Sequence, residues 1–259
     1  MMFYKYLFLL IFLCASGVRA EADSPAIAAA SDLKFVLEDI ATRFRAETKR
    51  EVRLSFGSSG NYFRQIGQGA PFQLFLSADE DFVFKLHDSG RTEDRGVLYA
   101  IGRIVLFAPK GSSFAVDARM VGLKQAIDGN VVRRFAIANP EHAPYGRAAE
   151  QSLRKLGLWE SLQGKLVLGE NVSQAAQFAS SGSTQGGIFA YSLALVPGIT
   201  QQGQYLLLPE DLHAPLRQRM VLVKGAGETA RAFYAWLQQP AARKILTQYG
   251  FMLPAAAAK

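Results

Sequence analysis

The chain has 259 residues, a formal net charge of +7 and a single cysteine, Cys14. Its basic residues are dispersed, as in Arg43, Arg45, Lys49, Arg50 and Arg53. No basic run is interleaved with aromatics, which excludes a nucleic-acid groove and leaves solvated helix faces or weak steering of small anions.

Residues 1–20 have the pattern of an export signal. Lys5 is the positive start, 7–15 is the apolar stretch, and Val18-Arg19-Ala20 fits cleavage after Ala20. The apolar stretch is too short to stay across a bilayer. Bulky Phe12 and Leu13 ahead of Cys14 argue against lipid attachment. Loss of Lys5 and Arg19 with the signal leaves a charge of about +5. The mature chain then has no cysteine, lies in the periplasm and is held by its core alone. About 240 residues suffice for two small α/β lobes.

From residue 26 strand and helix patterns alternate. A short buried strand, 26–30, precedes a helix over 33–47, where Leu33, Phe35, Val36, Ile40 and Phe44 recur at helical spacing. Strand 52–56, helix 62–67, strand 74–77 and helix 79–88 follow. The apolar stretch 97–108, with Gly102 and Arg103 inside it, divides into two strands where the chain crosses between lobes. A second block has helix 121–128, strand 135–138 and a loop over 139–146 stiffened by Pro140 and Pro144. Helix 147–156, strand 165–169, helix 172–180 and an apolar strand over 187–193 running into a short helix complete it. Strand 204–208 is the predicted return crossing. Strand 219–223 and helices 229–238 and 241–249 end the fold, and the low-complexity tail 255–259 is set aside. Repeated βα units predict parallel sheets with a ligand site at the strand C-terminal ends. No period of 20–50 residues recurs, which excludes a solenoid.

The chemistry-bearing residues are sparse. Only His87, His142 and His213 are available as bases, and G-x-S-x-G does not occur. His142, in the rigid loop, is expected to bond its own loop, with contact to a cleft as the sharper alternative. There is no H-x-x-x-H or C-x-x-C for a metal and no G-x-x-x-x-G-K-[ST] for a nucleotide. Two serine turns stand out. Ala30-Ser31-Asp32 and Gly57-Ser58-Ser59-Gly60 each end a strand and open a helix. Such turns leave backbone N–H groups unpaired beside a hydroxyl. Two of them on adjacent parallel strands form a cup of donors suited to an oxyanion. Ser31, Ser58 and Ser59 as ordinary helix caps, each contributing about 1 kcal/mol, are the plainer alternative.

The order and spacing of these pieces resemble the periplasmic molybdate-binding component of ABC importers over nearly all of the mature chain. The resemblance is carried by Ala28-Ala29-Ala30-Ser31, Phe56-Gly57-Ser58-Ser59, Gln65-Ile66-Gly67-Gln68-Gly69-Ala70-Pro71 and Leu74-Phe75-Leu76-Ser77-Ala78-Asp79. It continues in Ala138-Asn139-Pro140-Glu141-His142-Ala143-Pro144-Tyr145-Gly146, Leu156-Gly157-Leu158-Trp159, Gly169-Glu170-Asn171-Val172 and 243–251. It implies an α/β two-lobe periplasmic-binding-protein fold of type II with the ligand in the interlobe cleft. Lobe 1 would span 24–102 plus 205–254, and lobe 2 would span 103–204. It further implies a non-enzymatic monomer that needs no cofactor and hands molybdate to a membrane permease.

Carried over by position, Ser31 and Ser59 would supply hydroxyl and backbone donors. Tyr145 and Val172 would supply backbone N–H groups. The anion would be held through its oxygens, with no direct metal ligand. The family's strand tyrosine aligns with Ala190, and Tyr191 follows one residue late. Three arrangements follow: a bulge that brings Tyr191 in, a phenol from Tyr145 instead, or no such contact. Neutral donors on helix ends suffice for a dianion without a buried cation. Arg64 and Arg147 are accordingly read as facing solvent. Tungstate, nearly isosteric with molybdate, should compete well, and sulfate should fit loosely. Asp32 is read as a first-turn residue pointing outward; pointing inward, it would favour a protonated oxyanion such as phosphate. The rival from another class is an exported hydrolase with Ser31 or Ser59 as nucleophile, which needs a histidine within reach.

Overall fold

Strand β1 (Ala26–Ala30) carries one isoleucine and four alanines, small enough for helices to close over it. The structure, a computed structural model, describes residues 24–254. The predicted export signal, 1–20, and the tail, 255–259, lie outside the described residues. In the first lobe β1 sits between β2 (Arg53–Gly57) and β3 (Phe72–Ser77), parallel to both. β4 (Val97–Gly102) lies at the far edge of this sheet. The second sheet is built from β5 (Ile104–Pro109), β6 (Phe135–Ala138), β7 (Leu166–Gly169), β8 (Gly187–Ala190) and β9 (Gly203–Leu207). β10 (Leu216–Leu222) returns to the first sheet between β3 and β4. The strand orders are β2-β1-β3-β10-β4 and β7-β6-β8-β5-β9.

The sheets are mixed, which corrects the expectation of parallel sheets. β10 runs antiparallel to β3 and β4, and β5 runs antiparallel to β8 and β9. The reason is the crossing itself. Strands that leave a lobe run toward the cleft, and strands that enter from the other lobe run away from it. β4 passes into β5 with only Arg103 between them, so no crossover helix reverses the chain. The second crossing falls later than the sequence suggested. β9 pairs with β5, Leu207 opposite Val105, so lobe 2 extends through Leu207 and the boundary at 205 is corrected. The segment 208–215 carries the return.

Each lobe has its own core. Helix Lys34–Thr48 buries Val36, Leu37, Ile40 and Phe44 on the first sheet. There Phe44 meets Phe233 and Trp236 edge-on, with centroids 5.0 and 6.4 Å apart. The second core gathers Phe107, Phe135 and Phe189 with alanines from helices Pro144–Lys155 and Val172–Ser180. Ala30 and Ala78, from the cleft end of the first sheet, belong to this second cluster. The lobes are thus packed against each other at the cleft.

Candidate anion site in the interlobe cleft

Four strand-to-helix turns converge on one small void. β1 ends at Ala30 and a single 3-10 turn, Ser31–Leu33, leads into the long helix. β2 ends at Gly57, and Ser58, in extended conformation, opens helix Ser59–Gly67. From the second lobe come helix Pro144–Lys155, with proline at its first position, and helix Val172–Ser180, capped by Asn171, whose carbonyl Oδ1 accepts from Gln174 N–H at 3.1 Å. The void they bound is small, with only about 10 Å³ open to the centre of a water molecule. Its wall includes Ser31, Asp32, Ser58, Ser59, Tyr145 and Val172 and contains no lysine or arginine. That is about the room one water-sized group takes, so the site has no space for a drug-sized molecule.

The donors sit at helix ends. Ser59, Tyr145 and Val172 occupy first-turn positions, whose N–H groups have no partner inside their helices. The serine side chains do not cap their own helices. Ser59 Oγ accepts from Ala78 N–H at 3.0 Å, and Ser31 Oγ accepts from Ser173 N–H at 3.2 Å. An oxygen that accepts in this way has its own O–H left to donate. Capping as the sole role of Ser31, Ser58 and Ser59 is thereby set aside.

Asp32 corrects another expectation. It is buried, 1% exposed, instead of pointing outward. Its Oδ2 accepts from Tyr145 Oη at 2.9 Å and from Gln218 Nε2 at 2.7 Å. Gln218 Oε1 in turn accepts from Tyr99 Oη at 2.7 Å. Asp32 Oδ1 has no partner among the described residues. Burial pushes the carboxyl up to about 6, against the pull of the Gln218 and Tyr145 donors. Burial, with Asp32 beside it, holds the Tyr145 phenol well above its ordinary range, so it remains a donor. Gly102 is what admits this phenol: a Cβ there would lie 2.2 Å from Tyr145 Oη.

Tyr145 therefore lines the void with its backbone while its hydroxyl is committed to Asp32. Tyr191 is not in the wall, and no bulge brings it there. β8 ends at Ala190, Tyr191 opens the short helix Tyr191–Ala194, and its ring packs beside Tyr205 with centroids 6.0 Å apart. The Tyr145 phenol bonds Asp32, and Tyr191 thus lies outside the wall. The next residue, Ser192, comes toward the site instead, donating to the Asp32 carbonyl at 2.8 Å.

Several contacts join the lobes around the void. Gly60 N–H donates to His142 O at 2.9 Å, and Ser173 Oγ donates to Ser31 O at 2.8 Å. Arg147 pairs with Asp79 across the cleft instead of facing solvent, and Asn61 bonds Glu170. His142 also departs from expectation: its Nδ1 lies 3.0 Å from Ser58 Oγ, and its Nε2 lies 3.6 Å from Glu170. Neither Ser31 nor Ser59 meets a histidine; His87 faces Thr92 and His213 faces Ala214. The Ser58–His142 pair spans the two lobes and forms only with the cleft shut around a void too small for an ester or peptide. Its geometry ties the lobes together.

Sequence reasoning missed Ser173, Ser192, Gln218 and Tyr99. Gln218 had a signal, a lone amide in the strand that also carries Met220, Val221 and Leu222. The serines had none, because their partners are 142 and 160 residues away.

Comparison with known proteins agrees with this geometry. Residues 26–252 match the family model described as bacterial extracellular solute-binding protein. The molybdate-binding protein ModA of Azotobacter vinelandii is 37% identical over 237 residues, covering 90% of this chain and 92% of that protein. ModA of Escherichia coli is 32% identical over 250 residues, covering 94% and 95%. The solved periplasmic molybdate-binding protein of A. vinelandii superposes with a TM-score of 0.80 at 33% identity, covering 90% of this chain and all of that one. The sulfate-binding protein SubI of Mycobacterium tuberculosis has the same fold, with a TM-score of 0.73 at 14% identity over 90% of this chain and 88% of its own.

Proposed function

The chain belongs to the bacterial extracellular solute-binding proteins, and from that membership we propose that it captures molybdate outside the cytoplasm and delivers it to an ABC permease. It is a binding protein and carries out no reaction. One observation carries the choice of ligand class. Helix-end N–H groups from both lobes and two serine hydroxyls from the first surround a small void with no lysine or arginine in its wall. Uncharged donors on rigid helix ends suit a tetrahedral oxyanion whose charge is spread over four oxygens. The relatives named molybdate-binding, at 32–37% identity over 90–94% of the chain, narrow that class to molybdate.

In this reading Ser31 and Ser59 donate through O–H, and Ser59, Tyr145 and Val172 donate through N–H. Every contact is to an oxygen and none is to the metal. Tungstate, of nearly the same size, competes. Sulfate, with shorter bonds, leaves several donors too far away. The first twenty residues act as the export signal, and the protein works as a monomer. No cofactor is needed, because closure of the lobes is the whole of the work.

Calorimetric titration of the purified protein with molybdate, tungstate, sulfate and phosphate tests the reading. Strong binding of the first two and weak or no binding of sulfate and phosphate is expected. Strong heat with phosphate and none with molybdate would overturn the choice of ligand.

A further inference from the structure

Asp32 is one of the residues that line the anion void. It is buried, its Oδ2 is satisfied twice over, and its Oδ1 is unpartnered among the described residues. A dianion beside an ionised Asp32 would repel it in a medium of low dielectric. A hydrogen between Oδ1 and a ligand oxygen removes that repulsion and satisfies the orphaned atom. We infer that Asp32 shares one proton with the bound anion through Oδ1, so that capture of a fully ionised oxyanion takes one proton from solvent. This rests on the proposed binding of molybdate and deepens it.

Among the described residues bonded to Asp32 there is no cation to balance that charge. Tyr145 faces Asp32 from helix Pro144–Lys155, Gln218 from β10 and Tyr99 from β4 behind it. Ser192, from the helix after β8, bonds the Asp32 carbonyl, and Ser173 bonds Ser31. None of these is a cation. His142 meets the wall only through Ser58. The carboxyl already sits near 6 through burial, and a neighbouring dianion moves it further up. At neutral pH a carboxyl near 6 is largely ionised, and beside the bound dianion it is protonated. The proton comes from solvent and stays on the Asp32 side of the hydrogen bond, because molybdate carries none at this pH. In the complex Asp32 thereby acts as a neutral acid that donates to a bare oxyanion.

Molybdate titrations at about pH 7.5 in buffers of different ionisation enthalpy count the protons directly. The slope of observed heat against buffer heat should correspond to uptake of about one proton, and affinity should fall by about tenfold per pH unit above neutrality. In Asp32→Asn the amide donates permanently, so molybdate still binds, the slope drops to zero and the pH dependence flattens. A zero slope with the unaltered protein and strong molybdate heat overturns the inference and leaves the proposed function intact. Uptake that persists in Asp32→Asn also overturns it, and its loss in His142→Gln would then assign the proton to His142. Absence of any molybdate heat overturns both. The wild-type slope decides the matter even where the variant does not fold.

Discussion

Tyr145 Oη lies 2.9 Å from Asp32 Oδ2, a hydrogen bond between residues 113 positions apart on opposite lobes. Both groups are buried, and Gln218 bonds each of them, to Oδ2 at 2.7 Å and to the phenol at 2.9 Å. The contact exists only with the cleft closed. It couples the wall of the anion void to the strand through which the chain returns from the second lobe.

Tyr145→Phe removes that donor and leaves Gln218 with one fewer acceptor in a buried place. Such a loss costs about 1–3 kcal/mol, and it falls on the closed form, so anion affinity drops by that amount while the fold is kept. Tyr191→Phe is the counterpart. Its phenol lies outside the void, and affinity should change by no more than about 0.5 kcal/mol. Calorimetry on the two variants separates the two tyrosines; equal losses would contradict the geometry.

Ser31→Ala and Ser59→Ala each delete a donor to the anion, at about 1–3 kcal/mol of affinity. Their side effects differ. Ser59→Ala strands the Ala78 N–H within the first lobe and lowers the melting temperature of the unliganded protein. Ser31→Ala strands Ser173 N–H only when the lobes meet, so its unliganded melt should match the wild type. Melting curves with and without molybdate distinguish these patterns.

At Gly60 the lobes meet backbone to backbone, its N–H donating to His142 O at 2.9 Å. A Cβ there would lie 2.7 Å from His142 O, a main-chain atom that has little room to yield. Gly60→Ala should hold the cleft ajar at about 1–3 kcal/mol to affinity, with each lobe intact. Small-angle scattering should then show no compaction on adding molybdate, in contrast to the wild type.

Asp32 also links stability to pH. Its carboxyl is raised to about 6 in the folded protein from the ordinary 3.8, so the folded state binds the proton more tightly than the unfolded chain does. The stability it contributes is fully present below about pH 4 and is lost as pH rises through about 6, a change of about 3 kcal/mol. Asp32→Asn removes this titration. Urea unfolding of both proteins across that range should show the wild type losing ground to the variant between about pH 4 and 6 and holding a constant deficit above. A constant difference at every pH would refute the assignment.

Much of the scaffold was legible locally. Val36, Ile40 and Phe44 announce the first helix by their spacing, and the strand-stop-serine pattern marks Ser31 and Ser59 as residues at helix ends. Such features depend on residues within a few positions of one another. Pro144 reads in the sequence as part of a stiff loop with the helix starting at 147; it in fact opens the helix, because its ring is compatible with the first turn and lacks the N–H that would go unpaired there. Tyr145 and Val172 were marked by resemblance to a family, since a backbone N–H leaves no trace in side-chain identity.

Partners across the cleft were decided by tertiary structure alone. Periodicity does not say that Asp32 turns inward to Tyr145, that Ser58 meets His142, or that Tyr191 turns away while Ser192 turns in. Nor does it say that β9 stays with the second sheet. Local propensity sets where the chain bends and caps. Which buried polar groups satisfy one another depends on how two separately folded lobes meet, and that contact is long-range in sequence.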